Sequence, residues 1–174
     1  SVPPVAAWQL VQQQLAVLRA RPWTAALLHG WPAPAYEVVD ITQGSHPSRC
    51  RGGDIRRHST GAFRDGSLDV VEISGLPVTG PWQTVLDCVR TLPPRDALIL
   101  ADAALTDLAD MDKFKRSESE RRQHEVRAEL QRQLSESGAS RGAVRGRAVL
   151  EHADGFSGSP GESWVRWLAL TAGL

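Results

Sequence analysis

Cysteine is scarce in this chain. Its two cysteines, Cys50 and Cys88, lie far apart and show no CxxC spacing, which disfavours both a disulfide framework and a zinc site. An excess of one charge is also missing. Twenty Lys and Arg balance twenty Asp and Glu for a formal net charge of zero. The chain therefore does not grip nucleic acid through overall basicity, although a local basic patch stays open. No apolar run approaches membrane-spanning length and no signal peptide opens the chain, so the expectation is a cytoplasmic protein with no membrane partner. The five histidines show no HxxxH ligand spacing. No GxSxG, Walker loop or GxGxxG stands in a strand–helix context, and there is no internal repeat.

What is present is ordinary globular material: 174 residues, 41% apolar and 23% charged, enough to bury a real core. Six tryptophans supply core and helix-packing mass. The clearest local signals run from Ile73 to Leu105. An apolar strand over 68–73 ends at Gly75. Thr79 is a good N-cap, and Pro81 in the first turn loses no helical bond. Trp82, Val85, Leu86 and Val89 recur at helical spacing. Leu92-Pro93-Pro94 stops that helix. A second helix follows with Leu98, Ala101 and Leu105 on one face and small Ala97 and Ala104 beside it. The expected result is a tight helical hairpin packed on a strand.

Elsewhere the pattern predicts an amphipathic helix over 5–21, a short helix over 23–29 ended by Gly30, and strands over 36–42 and 54–59. The second strand, with Ile55 its only strongly apolar residue, reads as an edge. Short strands separated by turns favour an antiparallel sheet. The segment 113–136 is a charged helix with a thin stripe of Val126, Leu130 and Leu134, and its Glu118–Arg122 and Arg121–Glu125 pairs face each other across one turn. A further helix covers 141–153, weakened by Gly142 and Gly146 at roughly 1 kcal/mol each relative to alanine. Ser159-Pro160-Gly161-Glu162 is a capping box that opens a last helix ended by Gly173. The fold class is α+β: a helical front, a small antiparallel sheet and a helical hairpin, followed by a helical arm.

The segments AALLHGWPAP (Ala25–Pro34), EVVDIT (Glu37–Thr42), IRRHS (Ile55–Ser59), GLPVTGPWQTVLDCVRTLPPRDALILADAAL (Gly75–Leu105) and SPGESWVRWLALTAGL (Ser159–Leu174) together resemble a group of actinobacterial proteins. Their front part is similar to the AbiEi family of type IV toxin–antitoxin antitoxins. Their rear part is similar to the very-short-patch-repair (Vsr) endonucleases. The GLPVT-x-P-x-x-T-x-LD stretch is the most specific part of the match. The resemblance implies an AbiEi-like α+β domain over 1–110, a charged helical arm over 111–158, and over 159–174 the first helix of a truncated nuclease-like domain. The winged helix-turn-helix that usually begins the antitoxins is missing. So is the nuclease sheet with its Asp and Glu-x-Lys. The implied function is a regulatory or recognition module of a phage-defence or DNA-processing protein, with DNA, a cognate toxin or a second copy of itself as partners. Two alternatives stand beside it: the targeting half of a metal-dependent endonuclease, and a protein-interaction or dimerisation module.

Candidate site residues follow. The resemblance places Glu162 near a metal site, as a catalytic carboxylate only in a longer protein; its own sequence context makes it the closing residue of the capping box with Ser159. No cofactor is expected in the chain itself, and a divalent metal belongs only to a full-length nuclease. Arg49, Arg51, Arg56 and Arg57 form one basic patch for phosphates, and Arg145 and Arg147 belong to a second; the competing reading of both is a solvated surface. Asp87 and Asp102 sit in apolar helical contexts; they could face each other as a polar pair or bind a partner, and the favoured expectation is that they point to solvent or cap neighbouring backbone groups.

Overall fold

The structure, a computed structural model, describes residues 19–20, 22–33, 39–43, 55–59, 69–136 and 142–174. The fold is α+β, as the pattern predicts. In chain order the elements are β1 (Arg19–Ala20), α1 (Pro22–Leu28), β2 (Val39–Gln43), β3 (Ile55–Ser59), β4 (Val70–Ile73), β5 (Leu76–Thr79), α2 (Pro81–Thr91), α3 (Pro94–Leu108), α4 (Arg116–Glu136), α5 (Ala143–His152) and α6 (Pro160–Ala172). No helix among the described residues is long and apolar enough to cross a membrane. Of the helix predicted over 5–21, residues 5–18 and 21 lie outside the described residues.

The chain divides into two compact units, and the division falls inside α2 after Thr84. The first unit holds the strands. A three-stranded sheet runs β1-β2-β3, with β1 antiparallel to β2 and β2 parallel to β3. Two expectations change here. Arg19 and Ala20, assigned by periodicity to a helix, pair with Thr42 and Ile41 instead. The β2–β3 ladder is parallel, because the segment between them is about as long as a crossover needs and so does not force a hairpin. β3 is an edge strand, as its single strongly apolar residue implies.

β4 and β5 form a separate antiparallel hairpin, from Val70↔Thr79 to Ile73↔Leu76. Ser74 and Gly75 both have positive φ, 52° and 76°. That is the signature of the two-residue turn whose twist suits a hairpin, and glycine enters the left-handed region without strain. Leu76–Thr79 is therefore a strand and not a lead-in to a helix. Leu76, Val78 and Thr79 are buried. Thr79 does not cap α2. Its hydroxyl meets that of Thr84 at 2.8 Å, and the Thr84 hydroxyl also lies 3.0 Å from the Thr79 carbonyl, to which it donates. The first α-helical bond of α2 runs instead from the Thr84 N–H to the Gly80 carbonyl. α1 packs on β1 and β5 through this unit, and the His29 ring nitrogen lies 2.9 Å from the Thr79 carbonyl.

The second unit is helical. α3 packs against α4, α5 and α6, and α4 also packs on α5. Ala97, Leu98, Leu100, Ala101, Ala104 and Leu105 of α3 are buried. The charged helix α4 contributes Ser119, Gln123, Leu130 and Leu134 to the interior. Of its thin stripe, Leu130 and Leu134 are buried within this unit and Val126 is half-buried. The opposite face of α4 is laced by Arg116–Glu120, Arg122–Glu118, Arg121–Glu125 and Arg132–Glu129 pairs at turn spacing. Trp31 is buried in the same unit and donates its indole N–H to Asp107 at 2.5 Å.

Candidate functional site

The polar centre of the helical unit is Asp102. Sequence context placed it toward solvent; the structure buries it, with 1% exposure. α3 carries it on the side that meets α6 and the 153–158 loop. One carboxylate oxygen accepts the Asp154 backbone N–H at 2.7 Å, a backbone group 52 residues away and not the neighbouring one expected. The other takes Nη2 of Arg166, from α6, at 2.5 Å. The Ser163 hydroxyl bonds to it as well. Arg166 then reaches Ser157 Oγ at 2.6 Å and Asp154 at 3.6 Å through Nη1. Burial pushes the Asp102 carboxyl above its ordinary value, against the opposing pull of Ser163, the Asp154 N–H and Arg166.

The loop before α6 is drawn down onto the same spot. Thr106 donates to the Gly155 carbonyl at 2.8 Å, and the Gly155 N–H donates to Gln123. A side chain at position 155 would meet Gln123 Oε1 at 2.9 Å and Met111 at 3.1 Å, so backbone approach is the reason for glycine there. The Arg116 guanidinium lies 4.9 Å from the Phe156 ring centroid. Chemically this arrangement joins helices. That carboxylate is buried, and three of its roughly four acceptor directions are taken by Arg166, Ser163 and a backbone N–H, so its evident use is to tie α3 to α6 and the loop before it.

Glu162 is exposed at the start of α6. Its N–H donates to Ser159 Oγ at 3.2 Å, and its carboxylate accepts the Gly158 N–H at 2.9 Å. This is the reciprocal capping predicted, reaching one residue further back than the standard box. Among the described residues no group of three His, Cys, Asp or Glu is placed to hold a metal ion. Cys88 is a free, fully buried thiol, raised well above its ordinary value by burial and then by Asp87, which makes it a packing residue rather than a nucleophile. Asp87 is half-buried and lies 3.6 Å from Arg90.

The arginine candidates separate. Arg49 and Arg51 lie outside the described residues. Arg56 and Arg57 stand on β3, in register with Asp40 and Ile41 of β2, and their side chains are outside the description. Arg145 is exposed on α5 and donates Nη2 to the Arg90 carbonyl at the end of α2. It satisfies one of the carbonyls that a helix end leaves open. Arg147 is half-buried on α5.

Two features escaped sequence reasoning. The Asp102–Arg166 pair spans residues far apart in the chain, and only the odd placement of each charge in an apolar helix hinted at it. The other is the outward face of α6, where Trp164, Val165 and Leu168 are 50%, 67% and 49% exposed while Ser163 alone is buried. The helical spacing was legible, but not which face would be covered. Comparison with protein-family models, curated proteins and solved structures finds no match to this chain.

Proposed function

We propose that this chain is a regulatory or recognition module, antitoxin-like, of a cytoplasmic phage-defence or DNA-processing protein, and that it performs no bond chemistry itself. The resemblance of Gly75–Asp87 to the AbiEi pattern supports the antitoxin side. In that stretch three signature residues have a mechanical use: Gly75 turns the hairpin, and Thr79 and Thr84 lock strand to helix. The observation that carries the non-catalytic side is the employment of the carboxylates. Asp102 is committed to Arg166, and Glu162 is committed to the cap of α6. In the alternative reading, in which the chain is the targeting half of a metal-dependent endonuclease, the divalent cation belongs to the longer protein.

The experiment is a titration of the full chain with duplex DNA at two salt concentrations. Binding that weakens steeply with salt supports DNA recognition through arginines such as Arg56, Arg57 and Arg147. No binding at low salt removes it. A second reading, self-association, is favoured by the exposed Trp164, Val165 and Leu168 of α6. Light scattering decides that one, since a clean monomer at high concentration eliminates it. The stripe of α4 no longer motivates self-association, because Leu130 and Leu134 are already buried within the chain.

A further inference from the structure

Lysine is nearly absent from this protein. Of its twenty basic residues eighteen are arginine, and the two lysines, Lys113 and Lys115, sit on either side of Phe114. Phe114 is 88% exposed. Both lysines are exposed too. Neither makes an ion pair among the described residues, whereas the neighbouring arginines are paired, Arg116 to Glu120, Arg122 to Glu118 and Arg121 to Glu125.

The turn that presents this triplet is firmly held. The Phe114 N–H donates to Asp112 Oδ1 at 2.8 Å, and the Lys115 N–H to the Asp112 carbonyl at 3.0 Å. The fully buried Ser119 hydroxyl accepts the Asp112 N–H at 2.9 Å and lies 3.0 Å from its carbonyl. Upstream, Arg122 donates to the carbonyls of Ala109 and Asp110. Asp110 takes a positive φ of 46° to complete the bend. An aromatic ring is thus presented to water from a braced backbone, with an ammonium 5.5 Å from its centroid. A partner that covers it has little left to order, which favours binding.

An exposed ring with the Lys113 ammonium near one face and Lys115 next to it in the chain matches an unpaired nucleotide strand. Every base can stack on it, and the flanking phosphates meet point charges that form no ion pair among the described residues. A duplex keeps its bases stacked inside and leaves the ring without a partner. A membrane surface matches less well. An interfacial segment needs an apolar face, and around Phe114 the neighbours are Asp110, Asp112, Lys113, Lys115, Arg116 and Glu118. We propose that the Lys113–Phe114–Lys115 turn is a contact point for single-stranded nucleic acid, with Phe114 stacking one base and the lysines meeting its phosphates. This rests on the nucleic-acid side of the function proposed above, but assigns the contact to residues outside its arginine patches.

The test is fluorescence anisotropy of a labelled oligothymidylate, and of a duplex of equal length, with the full chain. Phe114→Ala, Phe114→Tyr and a Lys113→Gln/Lys115→Gln double variant are compared, each checked by circular dichroism for an unchanged fold. Wild type should prefer the single strand. Phe114→Ala should weaken binding roughly 5- to 150-fold, the effect of losing one stacked base, and Phe114→Tyr should retain it. The double lysine variant should flatten the slope of log affinity against log salt by about 1.4. Binding that none of these changes alters overturns the inference while nucleic-acid recognition by the chain survives. No binding of either oligonucleotide by wild type overturns both. Anionic vesicles captured through Phe114, without oligonucleotide binding, make the turn a lipid contact and overturn it as well.

Discussion

Replacing Arg166 by methionine tests the polar centre of the helical unit most directly. Methionine keeps much of the length and removes the charge. Asp102 is then left 1% exposed with the Asp154 N–H and Ser163 but no counter-charge. Removing one partner of a buried pair costs about 3–5 kcal/mol. The low end, about 3 kcal/mol, applies here for two reasons: Arg166 is 27% exposed, and its Nε is buried without a hydrogen bond, so the pair is not ideal to begin with. The cost depends on pH in a direction fixed by Asp102. Its folded-state carboxyl is raised, so the stability tied to its proton is fully present below the unfolded value and is lost as pH rises through the folded one. Arg166 pulls that carboxyl down. Taking Arg166 away pushes it further up and widens the window of loss toward neutral pH. Urea unfolding should therefore show about 3 kcal/mol lost near pH 7 and a smaller loss at acid pH, where protonation of Asp102 removes its need for the guanidinium.

Hydrogen exchange should localise the effect to α6. That helix buries only Ser163 and is held by this pair and by Arg95, whose guanidinium lies 5.7 Å from the Trp164 ring centroid. Adding Asp102→Asn to Arg166→Met should recover much of the loss at neutral pH, because the uncompensated charge is gone. An equal cost at both pH values, or a double variant that merely sums the singles, would refute the reasoning.

On α4, the Glu129 carboxyl is pulled down to about 2 by Arg132 and then Gln133. The stability it contributes is present above its unfolded value and is lost as pH falls toward about 2, so Glu129→Gln should flatten the acid end of a thermal-unfolding series, and an unchanged acid limb counts against the pairing. In the first unit, Thr84→Val leaves the buried Thr79 hydroxyl and carbonyl without Thr84. It should cost about 1–3 kcal/mol in urea unfolding, and a neutral result would mean that the lock carries no stability.

Local chemistry was readable in this chain to the extent that the partner lay a few residues away. Pro160 with Ser159 and Glu162, Gly173 at φ 76°, Gly30 at φ 85° and the turn-spaced pairs of α4 all form as their spacing predicts. What the pattern misassigned was decided at a distance. Gly75 reads as a strand end, and the threonine and proline that follow suit a helix start, whereas in the structure Ser74-Gly75 turns a hairpin and Leu76–Thr79 is its second strand. Burial of Asp102 needed Arg166, and no local window contains both. The basic patches were read as runs of like charge, yet Arg145 reaches back to the end of α2.

The glycines of α5 make the same point as a change of sign. By propensity alone Gly146→Ala stabilises the helix by about 1 kcal/mol. In the structure Gly146 is buried, and an added methyl would stand 3.1 Å from Val89 Cγ2 and 3.2 Å from Leu134 Cδ1. Overpacking of that kind costs about 1–3 kcal/mol, so packing should win and Gly146→Ala should be destabilising by up to about 2 kcal/mol. Gly142, at φ 85° and with the Arg90 carbonyl 2.2 Å from where a Cβ would lie, should tolerate alanine even less. The measurement is the urea midpoint of each variant against wild type. A stabilised Gly146→Ala would mean that Val89 and Leu134 move aside and that helix propensity, not the contact with α2 and α4, governs α5.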